Sequence, residues 1–242
     1  VRLAYVTPAH QFPLGVCMSL PRRLQLLEWA HANGVLIIED DYDSEFRYEG
    51  PPLPALRGLD RHDDVVLTGS FSKLLFPGIG LGYLVVPEDM IERVEALLTV
   101  THQHASLVNQ QVLCDFIVEG HLGRHLRRMR QVYAERRGVL LESAAAKLGG
   151  ALEFIGIEAG LQTAATLARG FDENAVAECA ARRGVDVTPL GRAAIEPLTV
   201  SGLVLGFAAV GPRAIRRGID ALAGALEDER RSRRAPADSS RR

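Results

Sequence analysis

Lysine is almost missing from this chain: Lys73 and Lys147 stand against twenty-six arginines. Other scarcities exclude whole classes of protein. Only three cysteines are present, Cys17, Cys114 and Cys179, with no CxxC spacing. That argues against a disulfide framework and a thiolate zinc site, and for reduced thiols in the cytoplasm. No apolar run approaches the roughly 20 residues a membrane-crossing helix needs, and no signal-peptide pattern opens the chain. Positive and negative charges nearly cancel, at a formal net of −2, which argues against a surface built to coat nucleic acid. There is no initiating Met either. The chain opens on the strand-like "VRLAYVTP", so the domain is expected to begin upstream of Val1.

What is present is an alternation of short apolar runs and amphipathic stretches. "RLAYVTP" reads as a strand, and "SLPRRLQLLEWAHANG" as a helix with Leu24, Leu27 and Trp29 among its apolar positions. Pro21 near its start and Gly34 after its end are the expected boundary residues. "VLIIED", "DDVVLTGS" and "IGLGYLVVP" are continuous apolar runs, the pattern of strands covered on both faces. The fold class is therefore α/β, with much parallel pairing. From Pro87 to about Leu148 the apolar spacing turns helical, ending in a long helix within "HLGRHLRRMRQVYAERRGVLLESAAAKLGG". Four short strand-like runs, "ALEFIGIE", "LQTAATLA", "VDVTPL" and "LVLGFAAV", then alternate with helices near 173–183 and 212–227 as a smaller α+β unit. The tail "DERRSRRAPADSSRR" is charged, poor in apolar residues and expected to be disordered.

Two polar clusters follow strands directly, where open α/β sheets collect ligands. "EDDYDSEF" offers Asp40, Asp41 and Tyr42; "TGSFSK" offers Ser70, Ser72 and Lys73. If the two strands are neighbours, a carboxylate, a phenol, hydroxyls and an amine converge. Pyridoxal 5'-phosphate uses that set. It needs a lysine amine for its aldehyde, which an ever-protonated guanidinium cannot replace. It also needs a carboxylate beside the pyridine nitrogen, and hydroxyls and N–H groups around the phosphate. That explains a lysine kept in an arginine-rich chain.

The signatures "HQFPLG", "EDDYDSEFRY" and "SFSKLLFPG", with "FIVEGHLGRHLRRMRQVYAERR" and "GLVLGFAAV" further on, resemble the aminotransferase-like domain of MocR-type regulators of the GntR family. The resemblance implies a fold type I pyridoxal-phosphate-dependent transferase, in the class I/II aminotransferase superfamily. Residues 1–98 would be the C-terminal part of its large cofactor-binding domain, with a mostly parallel sheet. A helical segment at 99–148, a small α+β domain at 149–227 and a tail at 228–242 would follow. By position, Lys73 becomes the lysine that holds the cofactor covalently and Asp40 the partner of its ring nitrogen. Tyr42 falls near its phenolic oxygen, with Ser70 and Ser72 at the phosphate. The partners implied are an amino compound, a second copy in a homodimer, and DNA only through a separate N-terminal module. The expected role is effector sensing; an active aminotransferase is the alternative, and a fragment that binds nothing is the third reading.

Three departures bear on activity. Relatives carry an arginine seven residues after the lysine, where this chain has Gly80. A charge-assisted contact of that kind contributes about 1.5–3 kcal/mol, so its loss weakens binding roughly tenfold or more, unless Arg47 or Arg57 substitutes. The Gly-rich turn and the stacking aromatic that precede this region in the fold are also outside the sequence. The segment "EPLTVSGLVLGF" has no arginine to hold a substrate carboxylate, leaving Arg192 as the candidate, and Gln162 stands where a His is common. Phe12 replaces the amide before "PLG", His10 and Gln11 lie near the expected site, and His102 and His104 point apart if helical. The basic stretch around 121–137 reads as the solvated face of a helix.

Overall fold

The apolar run after Gly34 forms the strand on which the first half of the chain is built. β2 (Leu36–Asp41) pairs in parallel with β1 (Leu3–Val6) on one side and with β3 (Val65–Ser70) on the other. β4 (Gly82–Val85) closes the sheet antiparallel to β3, in the order β1-β2-β3-β4. Parallel neighbours need a long crossover. Between β1 and β2 it is α1 (Leu20–Asn33), and between β2 and β3 it contains the short α2 (Leu56–Leu59). This computed structural model describes residues 1–101, 104–196 and 198–234.

α1 ends where Gly34 adopts a left-handed conformation, φ 59°, and caps the helix on Ala30 and His31. Its buried stripe is Arg23, Leu27 and Ala30, at the i, i+4, i+7 spacing of one helical face. Trp29 and Leu24 lie off that stripe and are exposed, a correction to the apolar face expected from sequence. Leu27 and Ala30 pack on Val35, Ile37, Leu56 and Val65. One face of the sheet is thus sealed. The other, bearing Ile38 and Asp40, is only half-buried, so β2 is not the doubly covered strand its continuous apolar run predicts.

Beyond β4 lie α3 (Ile91–Val100), α4 (Leu107–Val118) and α5 (His121–Lys147). The chain divides into two compact units, with one boundary between Arg130 and Gln131 inside α5. The second unit holds an antiparallel sheet ordered β5-β6-β8-β7, from β5 (Leu152–Ile155), β6 (Gln162–Leu167), β7 (Thr188–Pro189) and β8 (Gly202–Gly206). α6 (Glu173–Arg182) and α7 (Pro212–Arg234) complete it. α6 is capped by Asp172, whose side chain accepts from the Ala175 N–H. The predicted tail starts too early: residues 228–234 continue α7, and 235–242 lie outside the described residues. No described helix is long and apolar enough to cross a membrane.

Arg23 ties the first unit together. Only 1% exposed, it donates to the carbonyls of Met18 at 2.9 Å, Pro54 at 2.9 Å and Pro8 at 2.7 Å. Replacing it with Met removes all three bonds and takes that donor from the Met18 and Pro54 carbonyls, at about 1–3 kcal/mol each, while the Pro8 carbonyl keeps the Met18 N–H. Arg23→Met should therefore lower the denaturation free energy by about 3 kcal/mol or more, read from the urea midpoint; a loss below about 1 kcal/mol would contradict this role.

Candidate functional site

The register of the parallel strands sets the site. Asp40 pairs with Thr68 across β2 and β3, and Tyr5 with Ile38 across β1 and β2. Side chains alternate along a strand, so Tyr5, Ile38, Asp40, Thr68 and Ser70 share the face away from α1. Glu39 points the opposite way, into the core, where it accepts the N–H groups of Leu56 at 2.8 Å and Arg57 at 2.9 Å. Two adjacent acids thus have opposite fates.

Asp40 is gripped by a residue that the sequence reading passed over. Tyr5 donates its hydroxyl to Asp40 Oδ2. That hydrogen bond, with lesser help from burial and the carboxylate's charge, pushes the Tyr5 phenol up to about 12. The alternation in "LAYV" placed Tyr5 on one face of a strand; only the register put it beside Asp40. Tyr42, just past the end of β2, donates to the His10 carbonyl at 2.6 Å. Burial raises its phenol well above the ordinary range, and the charges of Asp43 and Asp40 add to the effect. Asp41 is structural: it accepts the Ser44 N–H at 3.2 Å and hydroxyl at 2.7 Å, closing the turn after the strand.

Lys73 sits in the turn that follows β3. Ser70 Oγ accepts the Ser72 N–H at 3.2 Å, and the Phe71 carbonyl accepts the Leu75 N–H at 2.9 Å. Leu74 is buried, and its carbonyl lies 2.9 Å from His125 Nε2 on α5. Further along, Asn109 on α4 donates to the Ile79 carbonyl at 2.9 Å, and Leu113 packs with Ile79 and Leu81. The turn is anchored on both sides while Lys73 itself is exposed and forms no ion pair among the described residues. Ser70 and Ser72 are half-buried.

Of the two cations proposed to replace the missing arginine, Arg57 is engaged elsewhere. Arg57 pairs with Asp60 at 3.3 Å and Asp63 at 2.8 Å. Arg47 directs Nη1 at Cys17 Sγ, 3.8 Å away. Gly80 adopts φ 59° in the cap of a 3-10 turn, Pro77–Ile79. Arg192 is exposed in another such turn, Leu190–Ala193, and Gln162 opens β6; both belong to the second unit. His104 is exposed and outside any helix, contrary to expectation, and His102 lies outside the described residues. Among the described residues no group of three or more His, Cys, Asp or Glu side chains is arranged to hold a metal ion.

A mostly parallel sheet with an acid near the end of one strand and an amine in the turn after its neighbour, followed by a small antiparallel unit, is the architecture of the fold type I aminotransferases. The chain belongs to the aminotransferase class I and II family, whose model matches residues 9–211. It is similar to the probable rhizopine catabolism regulatory protein MocR of Rhizobium meliloti, 38% identical over 93% of this chain and 46% of that protein. It is equally similar to the HTH-type transcriptional regulator YdeL of Bacillus subtilis, 38% identical over 92% of this chain and 48% of that one. The chain thus spans about half the length of these curated relatives. A crystal structure of Pyrococcus horikoshii kynurenine aminotransferase, in complex with PMP, superposes with a TM-score of 0.85 at 29% identity, over 95% of this chain and 57% of that one.

The Tyr5–Asp40 bond has a pH signature. A phenol raised in the folded state contributes stability that is whole below its unfolded value, about 10. That contribution disappears as pH rises through about 12. In Asp40→Asn the hydrogen bond weakens and the charge is gone, so Tyr5 should titrate nearer about 10. Rapid-mixing ultraviolet titration, with Tyr5→Phe identifying the step, checks this; an unmoved Tyr5 step in Asp40→Asn would refute the coupling.

Proposed function

We propose that this chain is the pyridoxal-phosphate-binding, amino-compound-sensing part of a MocR-type regulator that works as a cytoplasmic homodimer. The observation that carries the reading is the parallel pairing of β2 and β3, with Asp40 and Ser70 on one face at the strand ends and Lys73 in the turn Ser70 caps. The donor set fits the cofactor. Tyr5 occupies Asp40 Oδ2, which leaves Oδ1 for a ring N–H. Ser70 Oγ accepts from Ser72 N–H, so its own hydrogen remains to donate to a phosphate oxygen, beside the turn's N–H groups. Bound there, the group would supply an aldehyde that condenses with the Lys73 amine, releasing water, and an electron-withdrawing pyridine ring. Asp40 keeps that ring protonated, and Lys73 is the group available to hold or move a proton beside the reacting carbon. DNA contact belongs in this reading to a helix-turn-helix module, as in the relatives' names, and not to this chain.

Sensing is favoured over turnover because Gly80 brings no charge to the phosphate end and Arg57 is held by Asp60 and Asp63. The likeness to a kynurenine aminotransferase supports the second reading, an active enzyme. The test is a visible absorption band on adding pyridoxal phosphate, which borohydride fixes to the peptide bearing Lys73. Wild type should show it, and Lys73→Ala should not. Keto acid formed from added amino acids would favour the enzyme; absence of a band in both proteins would overturn cofactor binding.

Restoring the arginine should achieve little. A phosphate contact contributes about 1.5–3 kcal/mol, but a non-glycine residue in the left-handed region costs about 1–2 kcal/mol. Gly80→Arg should therefore tighten the Kd for pyridoxal phosphate by no more than about thirtyfold, measured by titrating the band; a gain of several hundredfold would show that position 80 relaxes freely.

A further inference from the structure

A buried imidazole–carboxylate pair lies behind Tyr42. His10 is 2% exposed and Asp43 3%, and His10 Nδ1 stands 3.0 Å from Asp43 Oδ2. Gly160 closes over the ring: a β-carbon there would come within 2.1 Å of His10 Cε1. The opposite ring nitrogen, Nε2, is buried with no hydrogen-bond partner among the described residues. Burying such a pair costs free energy that an apolar ring of the same size would not. Packing alone does not account for it.

The pair's neighbour does. The His10 carbonyl accepts the Tyr42 hydroxyl at 2.6 Å, and Tyr42 Oη also lies 3.4 Å from His10 Nδ1. The dipeptide Tyr42–Asp43 therefore grips His10 twice, by phenol on its backbone and by carboxylate on its ring. Arg23 holds the same turn from the other side through the Pro8 carbonyl. We infer that the His10–Asp43 pair is a positioning element for Tyr42, fixing the carbonyl that takes the phenol's hydrogen and so setting where the hydroxyl stands beside the end of β2.

Burial first, and then the charges of Asp43, Asp40, Tyr5 and Asp41, raise the Tyr42 phenol, and Asp43 and Tyr42 are the titratable groups in contact with His10. All of them oppose loss of the Tyr42 proton, so the hydroxyl stays a donor committed to a backbone carbonyl. It meets the phenolic oxygen of a bound cofactor only after giving up that bond. This consequence rests on the pyridoxal phosphate reading; the positioning itself does not.

The experiment separates the two. In the unloaded chain, the carbon-13 resonance of the Tyr42 ring carbon bearing oxygen is assigned with Tyr42→Phe, then compared in His10→Ala, His10→Asn and Asp43→Asn. His10→Ala and Asp43→Asn should move it toward the value of a solvent-exposed tyrosine, and His10→Asn, which keeps an N–H for Asp43, should largely restore it. With pyridoxal phosphate added, the same two variants should displace the pH midpoint of the visible band by about 1 unit. If they only lower the melting temperature while the resonance and midpoint stay put, the pair is packing and the inference falls. Should His10→Ala not fold, Asp43→Asn and His10→Asn decide alone. A wild type that gives no band but whose variants shift the resonance keeps the positioning element and overturns the cofactor reading.

Discussion

The carboxylate of Glu39, held by the N–H groups of Leu56 and Arg57 at the start of α2, controls which way the acidic end of β2 faces. Burial raises it above its usual range, and the two N–H bonds oppose that rise. A one-residue slip of β2 would carry Glu39 out to the open face and drive Asp40 under the helices, because a strand's side chains alternate with period two. The slip would strand both N–H groups and bury a new carboxylate. The buried lock on one acid thus secures the exposure of the next, and with it the pairing to Tyr5 and the alignment with Thr68.

Around that face the charges are arranged unevenly. The charges of Asp43, Asp40 and Asp41 add to burial in raising the Tyr42 phenol, while Arg23 and Arg57 of the same unit are directed elsewhere. Arg23 is spent on backbone carbonyls and Arg57 on Asp60 and Asp63. Burial at Tyr42, the hydrogen bond from Tyr5 to Asp40, and these charges together keep the two phenols protonated. Such an acid-rich face suits a cationic or protonated ring rather than a bare anion. In the proposed reading an anionic phosphate would rely on Ser70, Ser72 and the turn's N–H groups, without a guanidinium at position 80.

Much of this was written locally. Strand and helix positions follow from apolar spacing and from Pro21, Gly34 and the polar residues that end each run, all of which act on near neighbours. Lys73 among arginines, and the carboxylate and phenol after "VLII", are legible as candidates because the proposed cofactor needs groups of those types. Family likeness then assigned roles by position. The tail was misjudged because composition alone hid that residues 228–234 prolong an amphipathic α7. Trp29 was misjudged because a helix of mixed polarity can bury an arginine, here Arg23, in place of an aromatic.

By itself, then, the order of residues determined the element types, the α/β class and the list of groups able to do the chemistry. Only the tertiary structure decided that Tyr5 meets Asp40, that His10 and Asp43 pair behind Tyr42, that β4 runs antiparallel, and that Arg57 is tied up by its neighbours. The reason is physical. Propensity and periodicity are set by contacts within a few residues, whereas register and side-chain partners thirty or more positions apart depend on which packing buries Glu39, Arg23 and Ile37 with their hydrogen bonds and volumes satisfied.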